Sequence, residues 1–126
     1  TLESSGKTVR VKEVFFSKPS VQITLRLIKA STQASGGTST NGTSVAMKGG
    51  GISSDARVRL FTAAPTAGTA IGDVFEMVVA TGDSVTVTFG DNGTEALELS
   101  GTEALGVNVS AAGTIVGYIR FEEVAA

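Results

Sequence analysis

Apolar and polar side chains alternate with a period of two along most of this chain, the spacing that buries one face of a β-strand and leaves the other to solvent. Over residues 8–16, Val9 and Val11 face one way and Arg10 and Lys12 the other, until Val14-Phe15-Phe16 breaks the period. A bulge or strand end near Glu13 accounts for the break. Ser17-Lys18-Pro19-Ser20 reads as a turn, because proline fixes φ and has no N–H to give a ladder. The clearest strand follows, with Val21, Ile23, Leu25 and Leu27 on one face and Gln22, Thr24 and Arg26 on the other, and its place is the core of a sheet. Residues 57–62 alternate as another strand. Residues 74–79 are short and rich in β-branched side chains, which favours a strand where periodicity alone is ambiguous. Val85, Val87 and Phe89 share a face, as do Leu97 and Leu99, then Leu105, Val107 and Val109. In the last strand Ile115, Gly117, Ile119 and Phe121 face one way, and Val116, Tyr118 and Arg120 the other.

Between these runs lie breaks with little to pack. Residues 31–43 (STQASGGTSTNGT) are small, polar and glycine-rich and read as a long exposed loop. Val45-Ala46-Met47 reads as a short strand before a second break at Gly49-Gly50-Gly51, residues 63–73 read as a loop, and Gly90-Asp91-Asn92-Gly93 is a strong turn signal. The sum is about eight short antiparallel strands with no helical segment: an all-β chain, expected to fold as a single β-sandwich, with a jelly roll as the specific expectation. Spacing alone does not separate that from an immunoglobulin-like sandwich, although the Cys and Trp landmarks of antibody domains are missing. Residues 1–7 are polar around Gly6 and are expected to be a flexible N-terminal arm, with 8–126 forming the single domain.

Composition narrows the function. At 126 residues the chain suits one core, and 41% apolar against 17% charged residues argues against disorder. A formal net charge of -2 gives no field for nucleic acid or anionic lipid, so neither is an expected partner. No apolar run approaches the roughly 18 residues of a membrane span, and Thr-Leu-Glu-Ser-Ser-Gly does not read as an export signal. Without cysteine there are no disulfides, thiolate metal sites or cysteine nucleophiles, and without histidine the commonest general base is missing, which excludes Ser-His-Asp and Cys-His catalysis.

Each remaining candidate has a plain competing explanation. Glu95, Glu98 and Glu103 could supply the paired carboxylates of a glycosidase, but they alternate with Leu97, Leu99 and Leu105 as a solvated face should. Asp91-Asn92-Gly93-Thr94-Glu95 lacks the alternating ligands and distant Glu of a calcium loop. The glycine runs lack the Lys-Ser/Thr ending of a phosphate loop. Asn41-Gly42-Thr43, Asn92-Gly93-Thr94 and Asn108-Val109-Ser110 match the glycosylation pattern, as a chain rich in Ser and Thr will by chance. Arg10, Lys12, Arg26, Lys29, Arg57 and Arg59 are either a basic stripe or outward charges that blunt sheet edges, and the second reading is preferred. One Tyr and no Trp offer no evident stacking platform. No cofactor, metal site or catalytic residue is expected.

Leu25-Arg26-Leu27-Ile28-Lys29-Ala30-Ser31-Thr32 followed by Gly36-Gly37-Thr38-Ser39-Thr40 resembles a segment of small tailed-bacteriophage structural proteins, in which a strand ends in a Gly-Gly-Thr-Ser-Thr loop. Val58-Arg59-Leu60-Phe61-Thr62-Ala63-Ala64-Pro65-Thr66 with Gly68-Thr69-Ala70-Ile71-Gly72 is similar to the same proteins. So is the ending, Leu105-Gly106-Val107-Asn108-Val109 through Gly117-Tyr118-Ile119-Arg120-Phe121-Glu122-Glu123, with Phe121 where some relatives carry Trp. The resemblance implies a non-enzymatic virion protein made in the bacterial cytoplasm: a capsid decoration protein, trimeric, bound to the major capsid protein. Its expected contacts are Leu2, Glu3 and Lys7 in the arm and Gly36, Gly37, Thr38 and Asn41 in the loop. Two other classes stand beside it: a receptor- or glycan-binding module of a tail fibre or adhesin, and a carbohydrate-active enzyme with two inward carboxylates.

Overall fold

The computed structural model of the chain describes residues 1–4, 6–17, 19–42, 56–90, 95–111 and 115–124. Among them are ten strands and no helix: β1 (Leu2–Glu3), β2 (Thr8–Ser17), β3 (Ile23–Ala30), β4 (Thr38–Asn41), β5 (Arg57–Ala63), β6 (Ala70–Val79), β7 (Ser84–Thr88), β8 (Leu97–Leu99), β9 (Ala104–Val109) and β10 (Val116–Val124). Six form one sheet in the order β4-β5-β1-β9-β3-β6; the other four form a smaller sheet, β10-β2-β7, with β8 also paired to β2. Every pairing is antiparallel. The sheets pack face to face as a β-sandwich. Jelly-roll connectivity is a narrower statement than these strand orders make.

Alternation explains which side chains fill the space between the sheets. In β3, Ile23, Leu25 and Leu27 are buried while Thr24 and Arg26 on the other face are not. Leu27 meets Val9, Val11 and Val14 of β2, Leu97 and Leu99 of β8 and Leu105 of β9 in the main core. Ile23 and Leu25 join Val79 and Val85 in a second cluster at one end. Each such side chain, moved wholly out of water, contributes about 1.5–3 kcal/mol, so the central part of the sandwich carries most of the stability.

The break expected near Glu13 is a β-bulge. Arg120 is opposite Glu13 but Phe121 is opposite Val11, which leaves Lys12 as the extra residue. The insertion returns Val14 to the core face already held by Val9 and Val11.

Three expectations change. Residues 31–43 are not loop throughout, because Thr38–Asn41 adds β4 to the edge of β5. β6 begins at Ala70, inside the stretch expected as a loop. Leu2–Glu3 of the expected flexible arm forms β1, paired to β5 through Leu2↔Val58 and to β9 through Leu2↔Leu105, and both residues are fully buried. The strand expected at Val45-Ala46-Met47, the glycine run at Gly49-Gly50-Gly51 and the turn residues Asp91-Asn92-Gly93 lie outside the described residues.

Candidate functional site

The two faces of β1 lead to different surroundings. Leu2 points into the main core. Glu3, next along the strand, points to the outer side of the six-stranded sheet, where a carboxylate would ordinarily meet water. It is nevertheless fully buried, because residues 31–37 cross over it. That crossing is fixed by backbone bonds to residues 66–69: Ser31 N donates to Thr69 O at 2.8 Å, and Ser35 and Thr66 exchange bonds of 2.9 and 2.7 Å.

Under this cover is the best-connected polar cluster among the described residues. Arg57 Nε donates to Glu3 Oε2 at 2.9 Å, and Arg57 Nη2 bonds the same oxygen. Arg59 Nε donates to Glu3 Oε1, which also accepts from Thr1 Oγ1 at 3.0 Å. The guanidinium groups then hold the cover: Arg57 Nη2 donates to Gln33 Oε1 at 3.0 Å, and Arg59 Nη2 to Ala34 O. Arg59 also lies 4.9 Å over the Phe61 ring. Burial pushes the Glu3 carboxyl up; the hydrogen bonds from Arg57, Arg59 and Thr1, with the charge of Arg57, outweigh it and hold the group below its ordinary range. With both oxygens occupied, the cluster joins β1, β5 and the crossing segment.

The expected partner contacts therefore divide. Leu2 and Glu3 are inside, so neither can touch a partner while β1 is in place. Lys7, Gly36, Gly37, Thr38 and Asn41 are exposed, the last four along the β4 edge. Gly37 has φ +69, and a Cβ there would lie 2.6 Å from Ala63 O, so the turn into β4 requires glycine.

Among the described residues the basic side chains form no open stripe. Arg26 is bonded to both Asp73 oxygens at 2.9 Å, Lys29 is 3.4 Å from Glu103, and on the outer face of the smaller sheet Arg10 bridges Glu98 and Glu122 while Lys12 approaches Glu122. Glu98 and Glu103 are thus held by cations on the outside. Glu103 also caps Ser100 N at 2.9 Å; burial raises its carboxyl, and the Ser100 bond with the Lys29 charge brings it below its ordinary range. Beside the charge ladder Phe15 and Tyr118 stack at 5.2 Å, and Tyr118 donates to Glu13 at 2.7 Å. This bond raises the phenol, helped by desolvation and the Glu13 charge.

Two features escape sequence reasoning. By register with Leu2 and Leu25, Leu60 and Met77 belong to the core-facing side of the large sheet, yet they are 57% and 45% exposed. Leu60 lies on β5 and Met77 on the edge strand β6. Ile71, Val78, Val116 and Tyr118 are also exposed. A cavity lined by Pro19, Ile23, Val109 and Ile115 holds about 10 Å³, room for about one water. No three acidic side chains among the described residues converge as a metal site.

Comparisons with protein-family models, curated proteins and solved structures find no match for this chain. Fold and surface together define a class: among the described residues, an antiparallel two-sheet sandwich with paired charges, exposed apolar side chains at Leu60 and Met77, and an exposed β4 edge.

Proposed function

We propose that this chain is a non-enzymatic structural protein of a tailed-bacteriophage virion, a capsid decoration protein that binds the major capsid protein, stabilises the head and associates as a trimer. The observation that carries the reading is the exposure of Leu60 and Met77 on the core-facing side of the large sheet. Leu60 and Met77 place apolar side chains on exposed strand positions, which suits contact with another protein better than capture of a small molecule. The β4 edge, with Gly36, Gly37, Thr38 and Asn41, adds exposed backbone that can adapt to a capsid subunit. The phage assignment itself rests on the segment resemblances, and jelly-roll connectivity goes with it.

The test is light scattering on the purified chain, then sedimentation after mixing with capsids that lack it. Saturating co-sedimentation in fixed ratio to the major capsid protein is expected. A soluble monomer that ignores capsids would overturn the reading and favour the second one, a receptor- or glycan-binding module. The observation on that side is the stacked Phe15–Tyr118 pair, flanked by Glu13 and Arg120.

A further inference from the structure

In the strand order β4-β5-β1-β9, the two residues of β1 are the only described strand joining the β4–β5 pair to the rest of the large sheet. The backbone bonds of this segment run to distant parts of the chain. Thr1 N donates to Arg59 O at 2.8 Å, Arg59 N to Thr1 O at 2.9 Å, and Ser4 N to Glu103 O at 3.2 Å. Ser4 Oγ adds bonds of 3.0 and 3.1 Å to Gly101 O and Glu103 O. The strand that follows, β2, belongs to the other sheet. Residues 1–4 thus fill a slot with four specified walls: backbone of β5, backbone of β9, an apolar floor that takes Leu2, and a cationic roof, Arg57 and Arg59, that takes Glu3. The slot reads an extended segment with an apolar residue followed by a carboxylate.

We propose that this slot also accepts residues 1–4 of a second copy, so that two chains exchange β1. Every bond given above is satisfied identically by the second copy, and the link to β2 takes a different course. That link contains Gly6, exposed, at φ +81 and with open space where a Cβ would lie. Glycine takes this or another conformation at little cost, so the link can redirect β1 to a second copy. The inference goes beyond the virion reading and does not require it, since it concerns only copies of this chain.

The test is charge reversal in two halves. E3R sets a cation against Arg57 and Arg59, and R57E/R59E sets carboxylates against Glu3, so each variant alone should melt about 10 °C or more below the unsubstituted chain. Refolded together, exchange places the cation of the E3R chain among the carboxylates of the R57E/R59E chain, and the unsubstituted Glu3 among the unsubstituted arginines. Native mass spectrometry should then show a one-to-one heterodimer whose melting temperature recovers at least half of the loss. Two components that melt separately and never form the heterodimer would overturn the proposal. Should either reversal fail to fold, Gly6→Ala serves instead, because nothing packs against the added methyl group and only the link is strained. It should raise the dimer fraction several-fold over the unsubstituted chain, whereas monomer throughout for both chains also overturns exchange. No capsid enters this experiment, so its failure leaves the capsid-binding part of the decoration reading standing.

Discussion

The Glu3 cluster and the charge ladder of the smaller sheet use the same chemistry, arginine against glutamate on the outer face of a sheet, and differ in one respect. Residues 31–37 cover the first, leaving the Glu3 side chain with no exposure and Arg59 with 13%, whereas Arg10 and Glu98 remain 44% and 47% exposed. In water an ion pair replaces hydration that both partners could have kept, so it adds little. Under cover the alternative is an unpaired buried charge, so removing one partner is costly even where the pair as a whole adds little to stability. The geometry is similar; the solvent decides which cluster the fold depends on.

The largest expected effect follows. Glu3→Ala should lower stability by about 3–5 kcal/mol in urea unfolding, with broadening of β4–β5 resonances before global unfolding. A loss under about 1 kcal/mol would place Glu3 with the surface pairs. Next, the two arginines should not be equivalent. Arg59→Ala, at 13% exposure and with the Ala34 bond, should cost about 2–3 kcal/mol, while Arg57→Ala, at 45% exposure, should cost about half as much. Equal losses would mean that the cover over Arg59 contributes nothing.

Acid should act on the same side of the comparison. Because the folded-state pKa of Glu3 is depressed, its contribution is present in full above the ordinary value of 4.5 and is lost as pH falls through the lower folded value. Urea midpoints of the unsubstituted chain should therefore fall faster below that range than those of Glu3→Gln; parallel curves would contradict the assignment. Glu98→Gln should change stability by less than about 1 kcal/mol, with the difference vanishing in 1 M salt. The smallest effect is spectroscopic. Tyr118 is the only tyrosine and there is no tryptophan, so its phenolate absorbance titrates alone. It should titrate above the ordinary value of 10.0, and Glu13→Gln should bring it down.

What could be read from the sequence follows the same division. Period-two alternation marked β2, β3 and β5 and even the bulge, because Val9, Val11 and Val14 carry their own register. Alternation needs several residues to show itself, and β1 has two, between polar neighbours, so it looked like a free arm. β4 is Thr-Ser-Thr-Asn, without an apolar face, and exists because β5 offers it an edge. Arg57 and Arg59 were legible as outward positions, but their carboxylate partner lies 54 and 56 residues earlier and the cover comes from a third segment. The exposure of Leu60 and Met77 was hidden for a related reason: a pattern shows which face a side chain takes, not what covers it.

Amide hydrogen exchange resolved by residue tests β1 most directly. Ser4 N–H donates to Glu103 O and Arg59 N–H to Thr1 O, so both hydrogen bonds form only if residues 1–4 occupy the slot. They should exchange as slowly as amides of β3 at neutral pH and lose protection in Glu3→Ala. If they exchange at the rate of an open chain while β3 stays protected, residues 1–7 are a free arm after all and the large sheet is not closed by β1.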